Sequence, residues 1–437
     1  MPLNTDFETV DLVRELRGAH TRRSKIPLRC FTTLVLNPSI PHFSEWYSDF
    51  VLKIQSLSAK EIADSRGNPT IEVTLNTAGG LGTASVPSGA SVGAHEARVV
   101  EPTVAVAQIN TEVSTALSGK EFDQKSLDAF LITLDGTPDR SRLGGNALLG
   151  VSLAFARAAA AEQKVELYTY FGTLAGNTAF AMPMPMFNVL NGGKHAKGGI
   201  AIQECMLVPV GVNGIGAQVQ AAQDCMVALK TLLEKKGYGT QMGDEGGFAP
   251  ALTSNEEALD LLVSAVSAAG YAGKIKLAID VAASSYDAFD KETMSKWYAD
   301  ILKKYPLVSI EDPFTEDDWE SFAALRASVG DTLVVGDDLT ATNAGRIALA
   351  AQKNAINAVI IKPNQAGTIS ETIDAVAVVR AQGWSAIASH RSGETPDTWI
   401  ADIAVGLLCG YIKAGAPTKP ERTAKYTRLM EIESKLA

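Results

Sequence analysis

Six short apolar runs in the second half of the chain each end on side chains that can carry charge. "KIKLAID" ends on Asp280, "YPLVSIED" on Glu311 and Asp312, "TLVVGDD" on Asp337 and Asp338, "AVIIK" on Lys362, "SAIASHR" on His390 and Arg391, and "GYIK" on Lys413. A lone charged strand end is commonly just the chain returning to water. Six of them, separated by 23 to 31 residues, repeat at the length of one strand, loop and helix. Asp280, Glu311 and Asp337 supply hard oxygen ligands with no cysteine close by, a set that suits Mg²⁺ better than zinc or copper. Lys362 and Lys413, with His390, Arg391 and Ser392, add the positive charge and donors that hold a substrate bearing carboxylate and phosphate. A lysine beside a dication and a second cation has a lowered pKa, so one of the two can act as a base. Two glycine-rich turns, "MGDEGG" with Asp244 and Glu245 and "NGGKHAKGG" with His195, let backbone and side chain approach a ligand closely. Metal, lysine base and an opposed carboxylic acid together indicate removal of a proton next to a carboxylate, with loss of a leaving group on the other side.

Such residues act together only if the fold collects them. Short apolar runs alternating with amphipathic helical segments imply a parallel sheet. If that sheet closes, all strand C-termini open on one mouth, which makes an α/β barrel of the TIM type the expected home of the site. Ser254 with Glu257 and Thr368 with Glu371 have capping-box spacing, Thr395–Pro396 suits an N-cap and first helical position, and Gly270 and Gly383 mark helix ends. Upstream, "NPTIEVTLNT" alternates Ile71, Val73 and Leu75 with polar residues, a half-buried antiparallel strand. "NALLGVSLAFARAAAAEQK" is strongly helix-forming. Residues 53–178 therefore read as a smaller N-terminal α+β domain, "AFAMPMPMF" with Pro183 and Pro185 as the linker, 179–437 as the barrel, and 1–52 as a flexible extension.

The composition suits this reading. With 46% hydrophobic and 20% charged residues the 437-residue chain is an ordinary globular protein. A net charge of −10, from 39 Lys+Arg against 49 Asp+Glu, argues against nonspecific binding to nucleic acid or to anionic membranes. No apolar run reaches the ~20 residues a spanning helix needs. Cys30, Cys205, Cys225 and Cys409 form no CxxC pair and fit a reducing, cytoplasmic setting. The first 52 residues include Arg14, Arg17, Arg22, Arg23, Lys25 and Arg29, but Asp6, Glu8, Asp11 and Glu15 break the acid-poor pattern of organelle targeting, which stays a minor alternative.

From about Ile54 onward the chain resembles enolase. The resemblance rests on "DSRGNPT", "PSGAS", "LDGTP", "NVLNGGKHA", "GDEGG", "SIEDPF", "GDDLTATN", "IKPNQAGT", "SHRSGET" and "IKAGAP", in that order. It implies Mg²⁺-dependent interconversion of 2-phosphoglycerate and phosphoenolpyruvate by a homodimer. Asp280, Glu311 and Asp337 would bind one Mg²⁺, and Ser91 a second that arrives with substrate. Lys362 would be the base and Glu245 the acid, supported by Glu204. Lys413 would face the substrate carboxylate, Arg391 and Ser392 the phosphate, and His195 would lie on a closing loop. His390 would be a substrate-binding or positioning residue. The chain departs from the family at Val92, where a threonine is usual, between Arg98 and Gln108, which is shortened, and after Ser284, where Ser285–Tyr286 opens an abbreviated lid segment. A shortened lid raises a second reading, an enolase-like protein with impaired turnover that serves as a binding or structural partner.

Overall fold

The alternation of Ile71, Val73 and Leu75 is realised as one face of a strand, all three fully buried, in a computed structural model that describes residues 50–89, 93–193, 200–286 and 289–437. In chain order the strands are β1 (Leu52–Lys53), β2 (Ser56–Ala63), β3 (Pro69–Asn76), β4 (Leu81–Val86), β5 (Glu121–Phe122), β6 (Met184–Asn191), β7 (Glu204–Val208), β8 (Lys276–Asp280), β9 (Leu307–Glu311), β10 (Leu333–Gly336), β11 (Ala358–Ile361), β12 (Ser385–Ser389) and β13 (Tyr411–Lys413). β2, β3 and β4 form an antiparallel sheet, and β1 pairs with β5. Against the sheet lies the alanine-rich helix Gly145–Gln163, the segment its propensity predicts. Gly82 permits the close approach, since a Cβ there would fall 1.8 Å from the Ala154 carbonyl oxygen.

Strands β6 to β13 close into an eight-stranded barrel. Its interior is filled by side chains such as Met186, Met206, Val335 and Ile360, so the barrel is a packed core and not a pore. The expectation of an all-parallel sheet needs correction. β7 runs antiparallel to both β6 and β8, pairing with β6 from Phe187 opposite Leu207 to Asn191 opposite Glu204. The proposed linker is also corrected: Pro185 lies inside β6, before pairing with β7 starts at Phe187, so its missing N–H removes no bond on that side.

Ser254 and Thr368 cap the helices Asn255–Ala268 and Ile369–Ala381 as their spacing predicts. The helix expected to start at Pro396 begins at Trp399 instead. Asp397 takes over there, accepting from the Thr398 and Trp399 N–H groups while pairing with Arg157 from the alanine-rich helix.

A second tie from that half of the chain reaches the barrel through Asp128, on the helix Gln124–Asp135. Its carboxylate is fully buried and accepts from the backbone N–H (2.9 Å) and hydroxyl (2.7 Å) of Ser370, in the first turn of Ile369–Ala381. Burial pushes the Asp128 carboxyl up to about 6, with the bonds from Ser152 and Ser370 opposing. A carboxyl raised from 3.8 favours folding fully below about pH 4, and that contribution is lost as pH rises through 6, by up to about 3 kcal/mol. Asp128→Asn removes the titration. Urea unfolding from pH 4 to 7.5 is expected to show wild type losing stability relative to the variant across this window; parallel profiles would refute the assignment.

Candidate active site

Each charged strand end reaches one rim. Asp280 closes β8, Glu311 closes β9, Lys413 closes β13, and Asp337, Lys362 and His390 follow β10, β11 and β12 directly. Pairing puts Asp280 level with Glu311 on one side and with Glu204 on the other. Glu204 starts its strand, and it reaches the same rim because β7 is reversed. Asp312 and Thr342, just past two of these ends, have φ of 40° and 49°, left-handed conformations that cost of order 1–3 kcal/mol each and turn the chain sharply at the mouth.

The cleft is lined by Glu204, Glu245, Asp280, Asp312, Asp337 and Asp338 against Lys362, Arg391 and Lys413. Lys413 Nζ lies 2.8 Å from Glu311, 3.2 Å from Glu204 and 3.3 Å from Asp280, all buried. Lys362 Nζ pairs with Asp337, whose other oxygen accepts from Gln365 Nε2 at 2.9 Å. Burial and neighbouring carboxylates raise the Glu204, Glu311 and Asp312 carboxyls well above the usual range, although Lys413 pulls the first two back. Asp337 is held low: burial opposes its charge, but Lys362 and Lys413 outweigh burial. Lys362 itself is raised, since the adjacent Asp337 carboxylate overcomes burial and the repulsion from Arg391 and Lys413. Contact with its counter-ion Asp337 works against the lowering expected for a lysine beside a dication and a second cation, a second cation that Arg391 and Lys413 supply.

The donor set fits a hard divalent cation. Six carboxylates face three cations in the cleft, all with oxygen ligands, and burial makes the remaining negative charge expensive. Oxygens close enough to share one ion group as Asp312, Asp337 and Asp338; a mixed set groups Glu204, Glu245 and His390. Of the expected ligands Asp280, Glu311 and Asp337, only Asp337 falls in one of these groups; Asp280 and Glu311 are both paired with Lys413.

Arg391 Nη1 pairs at 2.8 Å with Glu96, from the segment after β4, and both are buried. Ser392 lines the cleft beside it. Glu245 accepts at 2.7 Å from Asn188 Nδ2, itself 2.7 Å from Asn191 Oδ1. His390 Nε2 is 3.4 Å from Glu245 Oε2. His195 and Ser91 lie outside the described residues. Sequence reasoning singled out neither Glu96, Asn188 nor Gln365, although Asn188 and Gln365 lie inside quoted motifs; a polar residue in an apolar run, as in "MFNVLN", is the available signal.

After β8 the abbreviated segment makes a short turn, Ala283–Ser285, and its aromatic residues pack edge to face. Tyr286 meets Phe289 at 5.7 Å between centroids, and Phe289 meets Phe314 at 6.2 Å. Cys205, Cys225 and Cys409 are buried and unpaired, and Cys30 lies outside the described residues. Among the described residues no helix is long and apolar enough to cross a membrane.

A smaller α+β domain precedes a barrel with one reversed strand, and the barrel mouth opposes carboxylates to lysines, a set of side chains able to exchange protons and to hold a divalent cation. Residues 179–437 match the family "Enolase, C-terminal TIM barrel domain", and residues 54–171 match "Enolase, N-terminal domain". Enolase 1 of Entamoeba histolytica is 44% identical over 422 residues, covering 88% of this chain and 97% of that protein. Enolase B of Dictyostelium discoideum is 44% identical over 423 residues, covering 88% and 95%. The chain belongs to the enolase family and is accordingly a lyase. The binding-only alternative is not favoured.

Proposed function

We propose that this chain carries out the reversible, Mg²⁺-dependent dehydration of 2-phosphoglycerate to phosphoenolpyruvate in glycolysis and gluconeogenesis, as a cytoplasmic homodimer. The observation that carries this reading is the meeting of Glu204, Glu245, Lys362, Arg391, Ser392 and Lys413 in one cleft. Asp280, Glu311 and Asp337 would hold Mg²⁺, and Ser91 a second ion arriving with substrate. Bound there, Mg²⁺ supplies positive charge where the substrate carboxylate gains negative charge.

Lys362 takes the C2 proton onto Nζ. It must first be neutral, and Arg391 and Lys413 both push it that way. The C2–H electron pair forms the C2–C3 double bond as the C3–O bond breaks. Glu245, oriented by Asn188, delivers a proton to the leaving hydroxyl, which departs as water. Glu204 supports that carboxyl by unfavourable charge proximity, which favours a protonated form in one of the pair. Lys413 faces the substrate carboxylate, and Arg391 and Ser392 take the phosphate; by family resemblance His195 would join the substrate-binding set.

The direct test follows the absorbance of phosphoenolpyruvate as it forms from 2-phosphoglycerate in the presence of Mg²⁺. Turnover at 1 s⁻¹ or faster, on the order of ordinary enzymes, is expected. Tight binding of substrate with no product would restore the binding-only reading.

A further inference from the structure

The C-terminal helix Pro420–Leu436 buries two cations, Arg422 and Lys425, both 0% exposed. Lys425 Nζ pairs with Glu394 at 2.8 Å. Arg422 does something more specific. Its guanidinium donates to the carbonyl oxygens of Arg391 (2.9 Å), Ser392 (2.6 Å) and Asp244 (3.3 Å), so one planar group ties the loop after β12 to the turn that carries Glu245. Gly415 makes room for it, since a Cβ there would meet Arg422 Cδ at 2.9 Å and the Glu245 carbonyl oxygen at 2.7 Å.

Arg422 Nη1 also contacts His390 Nδ1. Arginine has only donors and keeps its charge in proteins, so the nitrogen facing it must accept. The ring proton therefore sits on Nε2. Nε2 is 3.4 Å from Glu245 Oε2 and has no hydrogen-bond partner among the described residues, although the ring is only 3% exposed. A buried donor is thus aimed, unspent, beside the carboxyl that faces the leaving group.

We propose that Arg422 is a positioning residue that locks His390 as the neutral tautomer protonated on Nε2, making it a hydrogen-bond donor to the departing hydroxyl and neither a base nor a metal ligand. The inference rests on Glu245 acting as the acid. A donor there can hold the hydroxyl oxygen through a lone pair while Glu245 supplies the proton. The other tautomer would present a lone pair and compete for that proton. The assignment also removes the Glu204, Glu245 and His390 grouping as an ion site, because Nε2 carries the proton and Nδ1 faces Arg422. Burial, chiefly, keeps the ring neutral by pushing its pKa down to about 4; Glu245 opposes and Arg422 reinforces.

The test uses the full chain with Mg²⁺ and ¹⁵N-labelled histidine. Long-range ¹H–¹⁵N correlation, with the His390 ring assigned by its loss in His390→Gln, is expected to show Nε2 protonated and Nδ1 bare from pH 6 to 8. A ring protonated on Nδ1, or on both nitrogens, overturns the proposal. Arg422→Lys is expected to lower kcat roughly 10- to 100-fold, and the Arg422→Lys/His390→Gln double variant to be no worse than about threefold below the poorer single one. Fully additive losses would also overturn it. The spectrum needs no substrate, so an inactive protein with the expected ring state counts against the proposed reaction and supports the role of Arg422.

Discussion

Lys362→Ala is expected to lower kcat at least about 10³-fold, within the range by which a positioned base accelerates proton transfer, with a much smaller change in KM. The reason is local. Lys362 directly follows β11, its backbone N–H is fixed by Thr342 Oγ1 at 2.9 Å, and Thr342 is fixed in turn by Gln365 at 2.6 Å. The ammonium therefore cannot be replaced by a neighbour drifting into its place. The decisive readout is not turnover alone. Wild type is expected to wash deuterium from solvent into C2 of 2-phosphoglycerate, and the variant to lose that exchange together with dehydration. Exchange that persists in Lys362→Ala would exclude this lysine as the base. A control is required because removing the ammonium leaves the buried Asp337 with Gln365 as its remaining hydrogen-bond donor side chain here. Thermal midpoints measured with Mg²⁺ should therefore accompany the kinetics.

Chelation is expected to abolish more than 99% of turnover and to lower the thermal midpoint, both restored by added Mg²⁺. Ligand linkage gives the scale. An ion at a hundred times its Kd stabilises the folded state by about 2.7 kcal/mol, which for a chain of this size corresponds to a shift on the order of 3 °C. The cleft explains why the effect is felt in stability as well as rate: Glu204, Glu311 and Asp312 carry raised pKa values in the protein alone. As pH rises above the usual carboxylate range the midpoint difference with and without Mg²⁺ should widen, since ligands must be ionised to bind. Full turnover in excess EDTA would refute the metal-assisted reading.

Much of this site is legible in the sequence because strand ends in a closed barrel are placed by topology. Asp280, Glu311, Asp337, Lys362 and Lys413 need only the period of the apolar runs to be located. Glu204 escapes that logic. It begins a strand, and without the reversed β7 the period would send it to the opposite rim. Glu245 lies in a turn with no period at all, and only its glycine neighbours and the motif mark it. Arg422 and Glu96 are less visible still, because nothing in "KPERTAK" or "VGAHEA" announces that their charges are buried against loops some 30 and 295 residues away. The contact between Lys362 and Asp337 is hidden for a related reason: sequence places like charges near one another, but an opposing contact is a matter of ångströms. Pro185 and the Pro396 start failed locally, one tolerated where a neighbouring strand has not yet begun, the other displaced by an aspartate half of whose partner residues come from elsewhere in the chain.

The contact between Asp128 and Ser370 joins positions 242 residues apart. A ribosome adding about 5–20 residues per second takes roughly 12–50 s to cover that interval. Throughout it the helix bearing Asp128 has emerged while its partner has not yet been made. Until the barrel is nearly translated, the carboxylate has only Gln124 and Ser152 from its own half as donors, so the tie between the two halves is among the last contacts that synthesis makes available.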